Sequence, residues 1–391
     1  FSVSPANLAS TRTSRGTRCP VADRFARTEE QTMLSSTLRE LLSATTDMDE
    51  TREASLTADA FDRQTWKSLA EMGLVGLTLD ERHGGAGLTF ADTAIVFEEL
   101  GRCVVPVPLL SDLLAVTMID GLGSEDQRGR LLPPIAQGEV IATLAVYETA
   151  HGEPTKPFAT TAERSGDDWQ IRGRKRFVTD APNADRFVVV ASSQDGVEAF
   201  VLDRDTPGVS VEPTPSLDPT RPLGDVVIDA RVPESTRLAD GDVTAILATT
   251  LDRGVVALAN EQVGGAQRCL EASVEYAGAR YQFGRAIGSF QAVKHLCADM
   301  LVAVEHAKSV AWHAAVTIDD SEEAQIAVPL ARSVCCDAYT FVSGANIQIH
   351  GGIGFTWEHD AHLYFKRAKA SSLILGSVDG YRDRLADAIG I

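Results

Sequence analysis

Basic charge is scarce in this sequence of 391 residues: 36 Lys and Arg stand against 55 Asp and Glu, a formal net charge of -19. Such a field repels phosphate backbones and anionic lipid heads, which excludes nucleic acid as the main partner and gives no reason to expect a membrane one. Long apolar runs are lacking as well. Candidates such as VVPVPLLSDLLAVTMI are broken by Pro106, Pro108 and Asp112, short of the roughly 18 to 20 residues that span a bilayer, so a soluble chain is expected. The six cysteines form no CxxC or CxxH spacing, and Cys335 and Cys336 are adjacent. That pattern gives no metal site, disfavours an ordinary bridge between the adjacent pair, and fits a reducing, cytoplasmic location. There is no GxGxxG fingerprint, internal repeat or low-complexity core.

What is present is a change of period along the chain. Aromatic content of 6% within 44% hydrophobic residues is a helix-leaning balance, and a chain of this length is expected to form two or three sub-domains. Residues 1–32 read as a disordered or expression-derived extension: the start is rich in Ser, Thr and Arg, lacks a secretory apolar region, and precedes a possible start at Met33. A transit peptide is the functional alternative. Residues 33–138 show helical spacing in segments such as LSSTLRELLSAT and FADTAIVFEELGR. Over 139–240 the period falls to two, in WQIRGRKRFVT, RFVVVASS and DVVIDARV, which predicts a barrel-like β domain. Over 241–391 helical spacing returns in runs at 243–282, 288–317, 322–349 and 360–389, which predicts a four-helix bundle with oligomeric contacts. The fold class is therefore α+β: helices, a sheet, then a helical bundle.

Two motifs carry the functional reading. In RYQFGRAIGSFQAVKHLCADM, residues 280–300, Arg280, Phe283 and Gln291 surround a Gly-Arg turn between two long helical runs; QIHGGIGF, residues 348–355, places Gln348 before Gly351 and Gly352. Taken singly, an Arg before a Tyr is a solvated charge and a Gly pair is a turn. Taken together, an Arg fork, a flat aromatic and a glycine backbone open to close approach suit a bound ligand.

Together with LVGLTLDERHGGAGLTFADTAIVFEELGR and IRGRKRFVTDAPNADRFVVVA, these motifs and the domain order resemble the acyl-CoA dehydrogenase family of flavoproteins, from about residue 34 to 389. The resemblance implies FAD bound across a subunit interface, with Arg280 and Phe283 on the pyrophosphate and adenine side and Gln291, Gln348, Gly351 and Gly352 nearby. Phe177 and Thr179, in KRFVT, match the strand that lies against the flavin ring; Phe177 could equally be core. The implied reaction is α,β-dehydrogenation of an acyl-CoA to a 2,3-enoyl-CoA, with a carboxylate as base and electron-transferring flavoprotein as acceptor.

The base is where the pattern breaks. In most members it is a Glu directly before a Gly in the last helical segment, and ungapped alignment of FKRAKASSLILGSVDG puts Leu375 there, before Gly376. Other members carry it on the long helix ahead of the Arg-Phe-Gly motif, a position that is Gly254 here. Asp252, followed by Arg253, is the nearest acid, although two residues on a helix rotate a side chain by about 200°. Glu261 and Asp379 are further candidates. The loop VYETAHGEPTKP keeps Glu148 and Thr149 but lacks the Gly-Ser pair that holds flavin and thioester in relatives. The residues that are kept are those a subunit donates to its neighbour's FAD. This split resembles the α2β2 acyl-CoA dehydrogenases of actinobacteria, which act on steroid side chains or other bulky acyl-CoAs, and it implies a heterotetramer with a homologous subunit. A self-sufficient homotetramer using Asp252, and a non-redox structural protein that kept the fold, are the alternatives.

Overall fold

A computed structural model describes residues 25–57, 59–149 and 157–391. The chain divides into two compact units: one comprises Arg52–Thr89 and Pro106–Gly254, the other the described residues up to Thr51, Phe90–Val105 and Val255–Ile391.

Helix formation begins earlier than composition indicated. Helix α1 (Glu29–Thr45) lies partly inside the segment 1–32 that the sequence reading set aside as an extension. Its start is set by a capping box in which Thr28 Oγ1 accepts the Gln31 N–H and Gln31 Oε1 accepts the Thr28 N–H, both at 3.1 Å. Just ahead of it, the Phe25 carbonyl accepts the Trp312 indole N–H at 2.7 Å and Arg27 pairs with Glu98. A short helix α2 (Met48–Ala54) follows.

In the first unit, α3 (Arg63–Glu71) starts at Asp62, whose Oδ1 accepts the Thr65 N–H at 2.9 Å. Farther along, α5 (Leu109–Leu122) is apolar almost all round and correspondingly buried, and α6 (Glu125–Ala136) begins at a second capping box, Ser124 with Gln127. The strands are β1 (Ala142–Ala145), β2 (Thr161–Ser165), β3 (Asp168–Thr179), β4 (Arg186–Ser193), β5 (Gly196–Asp203), β6 (Val209–Thr214), β7 (Leu223–Pro233) and β8 (Arg237–Leu238). They form one sheet ordered β6-β7-β3-β2-β4-β5-β8, with β1 parallel beside β4. Strand β4 is buried on both faces from Phe187 to Ala191, and α5 packs on β1. Trp169 meets Phe200 edge-on at 5.4 Å, which closes the core.

The second unit holds α4 (Phe90–Cys103), most of α7 (Val243–Ala279), the hairpin β9 (Tyr281–Gln282) and β10 (Arg285–Ala286), α8 (Gln291–Thr317), α9 (Ser321–His350), α10 (Ala361–Ser371) and α11 (Val378–Ile389). The run expected at 360–389 is thus two helices, interrupted where Leu375 and Gly376 adopt φ of 60° and 98°. Helix α7 is long and apolar enough by composition to cross a membrane, but 56% of its apolar window is buried in the fold. Met300, Val304, Tyr339, Val342, Cys269 and Tyr364 centre the core. Helices α4 and α7 meet backbone to backbone: a Cβ on Gly101 would overlap the Glu261 carbonyl oxygen, and one on Gly264 the Glu98 carbonyl oxygen.

Candidate functional site

Strand pairing of β9 with β10 folds the Arg280 motif into a tight hairpin, Tyr281 opposite Ala286 and Gln282 opposite Arg285. The Ile287 N–H donates to the Arg280 carbonyl at 2.8 Å, closing it. Phe283 sits at the tip in the left-handed region (φ 54°), before Gly284 at 78°, and its ring is 90% exposed. Arg285 lies over the Phe290 ring at 4.0 Å, and Gln291 opens α8 immediately afterwards. Arg280 and Gln291 are both exposed.

Gln348, Gly351 and Gly352 stand at the other helix end, the C-terminus of α9, and all three are exposed. Gly351 ends that helix at φ 66°, and a Cβ on either glycine would enter open space. The two helix ends are joined: His350 stacks on Tyr276, one turn before Arg280, with ring centroids 4.3 Å apart. On its other side His350 meets His359 at 4.5 Å, while its Nδ1 lies 2.8 Å from the Asn346 carbonyl. Burial first, and then the neighbouring imidazole, lowers the His350 pKa, with the Asn346 carbonyl opposing them. Six candidate positions therefore lie on the hairpin segment between α7 and α8 and on the adjoining end of α9. The Arg fork, the bare backbone and the exposed ring fit a dinucleotide diphosphate with an aromatic base.

Phe177 and Thr179 belong to the first unit. In the β3–β7 ladder Lys175 pairs with Val226 and the next pair is Val178 with Gly224, so Arg176 and Phe177 together oppose Asp225. This bulge places Phe177 at φ 52°. Bulges of this kind re-aim a side chain, and an aromatic residue at positive φ is a backbone under strain. The Thr179 carbonyl accepts from Thr143 Oγ1 at 2.7 Å and from Ser111 Oγ at 3.3 Å.

The acids named from the sequence are differently employed. Glu261 is buried against Arg367 at 2.6 Å, a closed pair. Asp379 is exposed and bonded to Arg382 at 2.9 Å. Glu148 accepts the backbone N–H groups of Ala159 (2.6 Å) and Thr160 (2.8 Å) and the ammonium of Lys175 (2.7 Å). Its burial favours the neutral acid, but Lys175 and Thr160 outweigh that and hold its pKa low. Burial in turn draws Lys175 down to about 8 despite Glu148. The remainder of that loop, 150–156, is outside the described residues. Asp252 is half-buried on α7 two positions before Gly254, which is buried. Leu375 is buried, at φ 60°.

Among the described residues, five non-glycine residues have positive φ: Val104, Phe177, Asp180, Phe283 and Leu375. Three of these, Phe177, Phe283 and Leu375, are positions already singled out by their place in the motifs. Strain of this kind persists where surrounding structure over-determines it, and it gathers at ligand sites. The sequence reading missed Asp225, which holds the bulge, and the Tyr276–His350 contact, which joins the two motifs.

Residues 28–139, 143–230 and 244–390 match the N-terminal, middle and C-terminal domains of acyl-CoA dehydrogenases. Acyl-CoA dehydrogenase IpdE2 of Mycobacterium tuberculosis is 35% identical over 350 residues, 89% of this chain and 94% of its own length. Among solved structures, the ChsE4-ChsE5 complex from Mycobacterium tuberculosis superposes with a TM-score of 0.85 at 27% identity, over 94% of this chain and 98% of the other. A variant of the Tcur3481-Tcur3483 steroid ACAD superposes at 0.83 with 32% identity, over 93% and 98%.

Proposed function

The chain belongs to the acyl-CoA dehydrogenase family, and from that premise we propose that it is one subunit of a heteromeric enzyme that converts an acyl-CoA to its 2,3-enoyl-CoA. As a member it is an FAD-dependent oxidoreductase. When bound, FAD supplies the acceptor for the hydride that leaves the β-carbon. The chain's own part is to hold that group: Arg280 by a charge-assisted fork on the diphosphate, Phe283 by a flat contact, Gln291 and Gln348 by their amides, and Gly351 and Gly352 by bare backbone. Phe177 and Thr179 serve the flavin-ring side.

One observation carries the heteromeric reading. Neither base position has a carboxylate, since Leu375 is a buried hydrocarbon and Gly254 has no side chain, while Glu261, Asp379 and Glu148 are each committed to a cation. The clamp residues, in contrast, stand exposed. The proton acceptor then comes from a homologous partner chain. Two of the related structures are described as a two-protein complex and as a steroid ACAD, which supports a bulky, steroid-bearing acyl group as substrate. Electron-transferring flavoprotein is the proposed acceptor. Cys103, Cys269, Cys297, Cys335 and Cys336 are all free thiols, as a reducing cytoplasm would leave them.

Native mass spectrometry with a flavin count tests this reading. Co-expressed with a homologous subunit that carries the missing glutamate, the chain should form a tetramer of two chain types with about two FAD, because only half the interfaces combine a donated clamp with a competent pocket. A lone homotetramer that holds FAD at every interface and is reduced by an acyl-CoA overturns it.

A further inference from the structure

His350 is the last residue of α9, and its ring is buried between two others. On one side lies Tyr276 of α7, inclined by only 28°; on the other lies His359, in the turn ahead of α10, inclined by 55°. The backbone fixes the two imidazoles as different tautomers. A carbonyl can only accept, so the Asn346 carbonyl 2.8 Å from His350 Nδ1 requires the proton on that nitrogen. An amide N–H can only donate, so the Ala361 N–H at 3.1 Å requires His359 Nδ1 to be bare. Each ring thus enters the contact neutral with one nitrogen left to titrate. In His350 it is Nε2, and in His359 it is the Nδ1 that already accepts the first amide of α10.

The titratable groups that face His350 are Tyr276 from α7 and His359 from the turn, with Glu358 and Asp360 beside His359 in sequence and Arg280 one turn beyond Tyr276. An imidazolium at His350 would meet a second imidazole 4.5 Å away in a site that burial has partly stripped of water, and both effects oppose the charge. A proton taken by His359 instead would cost the Ala361 hydrogen bond and put a cation at the N-terminus of α10, where the helix dipole disfavours it. We propose that neutral His350 is the positioning residue of the clamp: its ring holds the Gly351 end of α9 to the Arg280 hairpin, and a proton on it lets the two part. This rests on the reading of Arg280, Phe283, Gly351 and Gly352 as the FAD clamp. Once parted, the ring takes its proton near the ordinary imidazole value of about 6.5, and in the joint only below it. Between those two pH values opening takes up a proton, so the joint is closed above the window and opens as pH falls through it.

The test compares the FAD-loaded complex of the wild type with His350→Phe, His350→Gln and His359→Asn, from about pH 7.5 to about pH 5. It measures hydrogen-exchange protection of the amides at 280–291 and 350–356, corrected for the intrinsic pH dependence of exchange, and the release of FAD by its fluorescence. One linked proton lowers protection by up to about tenfold per pH unit. We expect that fall in both segments of the wild type, with FAD release following it. His350→Phe keeps a ring to stack but cannot titrate, so the pH dependence should be lost. His359→Asn keeps an acceptor for the Ala361 N–H and removes the neighbouring imidazole, so the fall should begin at higher pH. If His350→Phe does not fold, His350→Gln, which keeps a donor for the Asn346 carbonyl, supplies the ring that cannot titrate with a pH-independent replacement. Protection that does not change with pH in the wild type, or a pH dependence that survives in the His350 variants, overturns the role and leaves the clamp reading intact. Protection that falls as expected while FAD stays bound overturns the assignment of these segments to FAD, and the role in the clamp with it.

Discussion

Asp225 Oδ1 accepts the backbone N–H of Phe177 at 3.2 Å, across the bulge between β3 and β7. The same buried carboxylate receives Arg174 at 3.3 Å, Arg176 at 3.4 Å and Thr214 Oγ1 at 3.4 Å. It therefore fills the gap that two residues opposite one leave in a ladder, and it holds an aromatic residue in a conformation that aromatics avoid. Arg176 adds a guanidinium 4.9 Å from the centre of the Phe177 ring.

Asp225→Ala should release Phe177, lowering stability by about 1–3 kcal/mol through the unmet N–H and the lost Arg176 contact, while Arg174 keeps Glu212 at 2.6 Å. Asp225→Asn, which keeps an acceptor, should recover part of that loss. Urea unfolding measures the first effect, and the visible spectrum of bound flavin reports whether Phe177 touches the ring. A spectrum that is the same in all three proteins would take Phe177 away from the flavin.

Arg280→Ala should strip FAD from the complex or weaken it by the roughly 1.5–3 kcal/mol that a hydrogen bond to a charged group contributes. Flavin absorbance per chain after gel filtration gives the answer, and an unaltered ratio removes Arg280 from the site.

Asp252→Asn should leave acyl-CoA turnover of the complex within about a factor of two, with FAD retained, because the base is assigned to the partner. A drop of about 10²-fold, the least a general base contributes, would instead give Asp252 that role and favour the self-sufficient homotetramer.

Lys175 supplies a pH signature. The unfolded lysine keeps its proton to about 10.4, whereas in the fold burial draws it down to about 8. Between those values the unfolded chain binds more protons, so wild type should gain stability relative to Lys175→Met as pH rises from about 8 to 10, by at most about 1.4 kcal/mol per pH unit. Urea midpoints at successive pH values measure it. A difference that stays flat would show the ammonium to be solvated, and one that falls would show that Glu148 holds the proton on more strongly than burial removes it.

The order of helices, sheet and helices was legible because period two and period 3.6 are properties of neighbouring residues, and the Arg280 and Gly351 motifs stood out because their parts are close in sequence. The start of α1 was legible too: Thr28 and Gln31 spell a capping box, a signal that the Arg- and Ser-rich composition around it obscured. Other features depend on pairs far apart. In GRKRF, the three basic residues look alike to any composition rule, yet only Lys175 is buried, because the segment that follows β1 brings Glu148 over it. That same Glu148 reads in sequence as the remnant of a flavin loop, and three-dimensional pairing shows it to be an anchor. Arg332 looks like one more helix charge, and its partners lie roughly forty residues onward, in a turn with no pattern of its own.

The crossing of α4 and α7 bears on how natural variants of this gene should be interpreted. Every amino acid reachable from a glycine codon by one nucleotide change carries at least a Cβ. At Gly101 and Gly264 that atom would coincide with a carbonyl oxygen of the facing helix, so even alanine forces the helices apart. At Gly87, Gly129 and Gly352 the same atom meets nothing within 4 Å, and a substitution there is a question of backbone angle or ligand access. Two missense alleles written identically, glycine to serine, thus belong to different classes: one acts on the packing of two helices, the other on a surface that the fold leaves open.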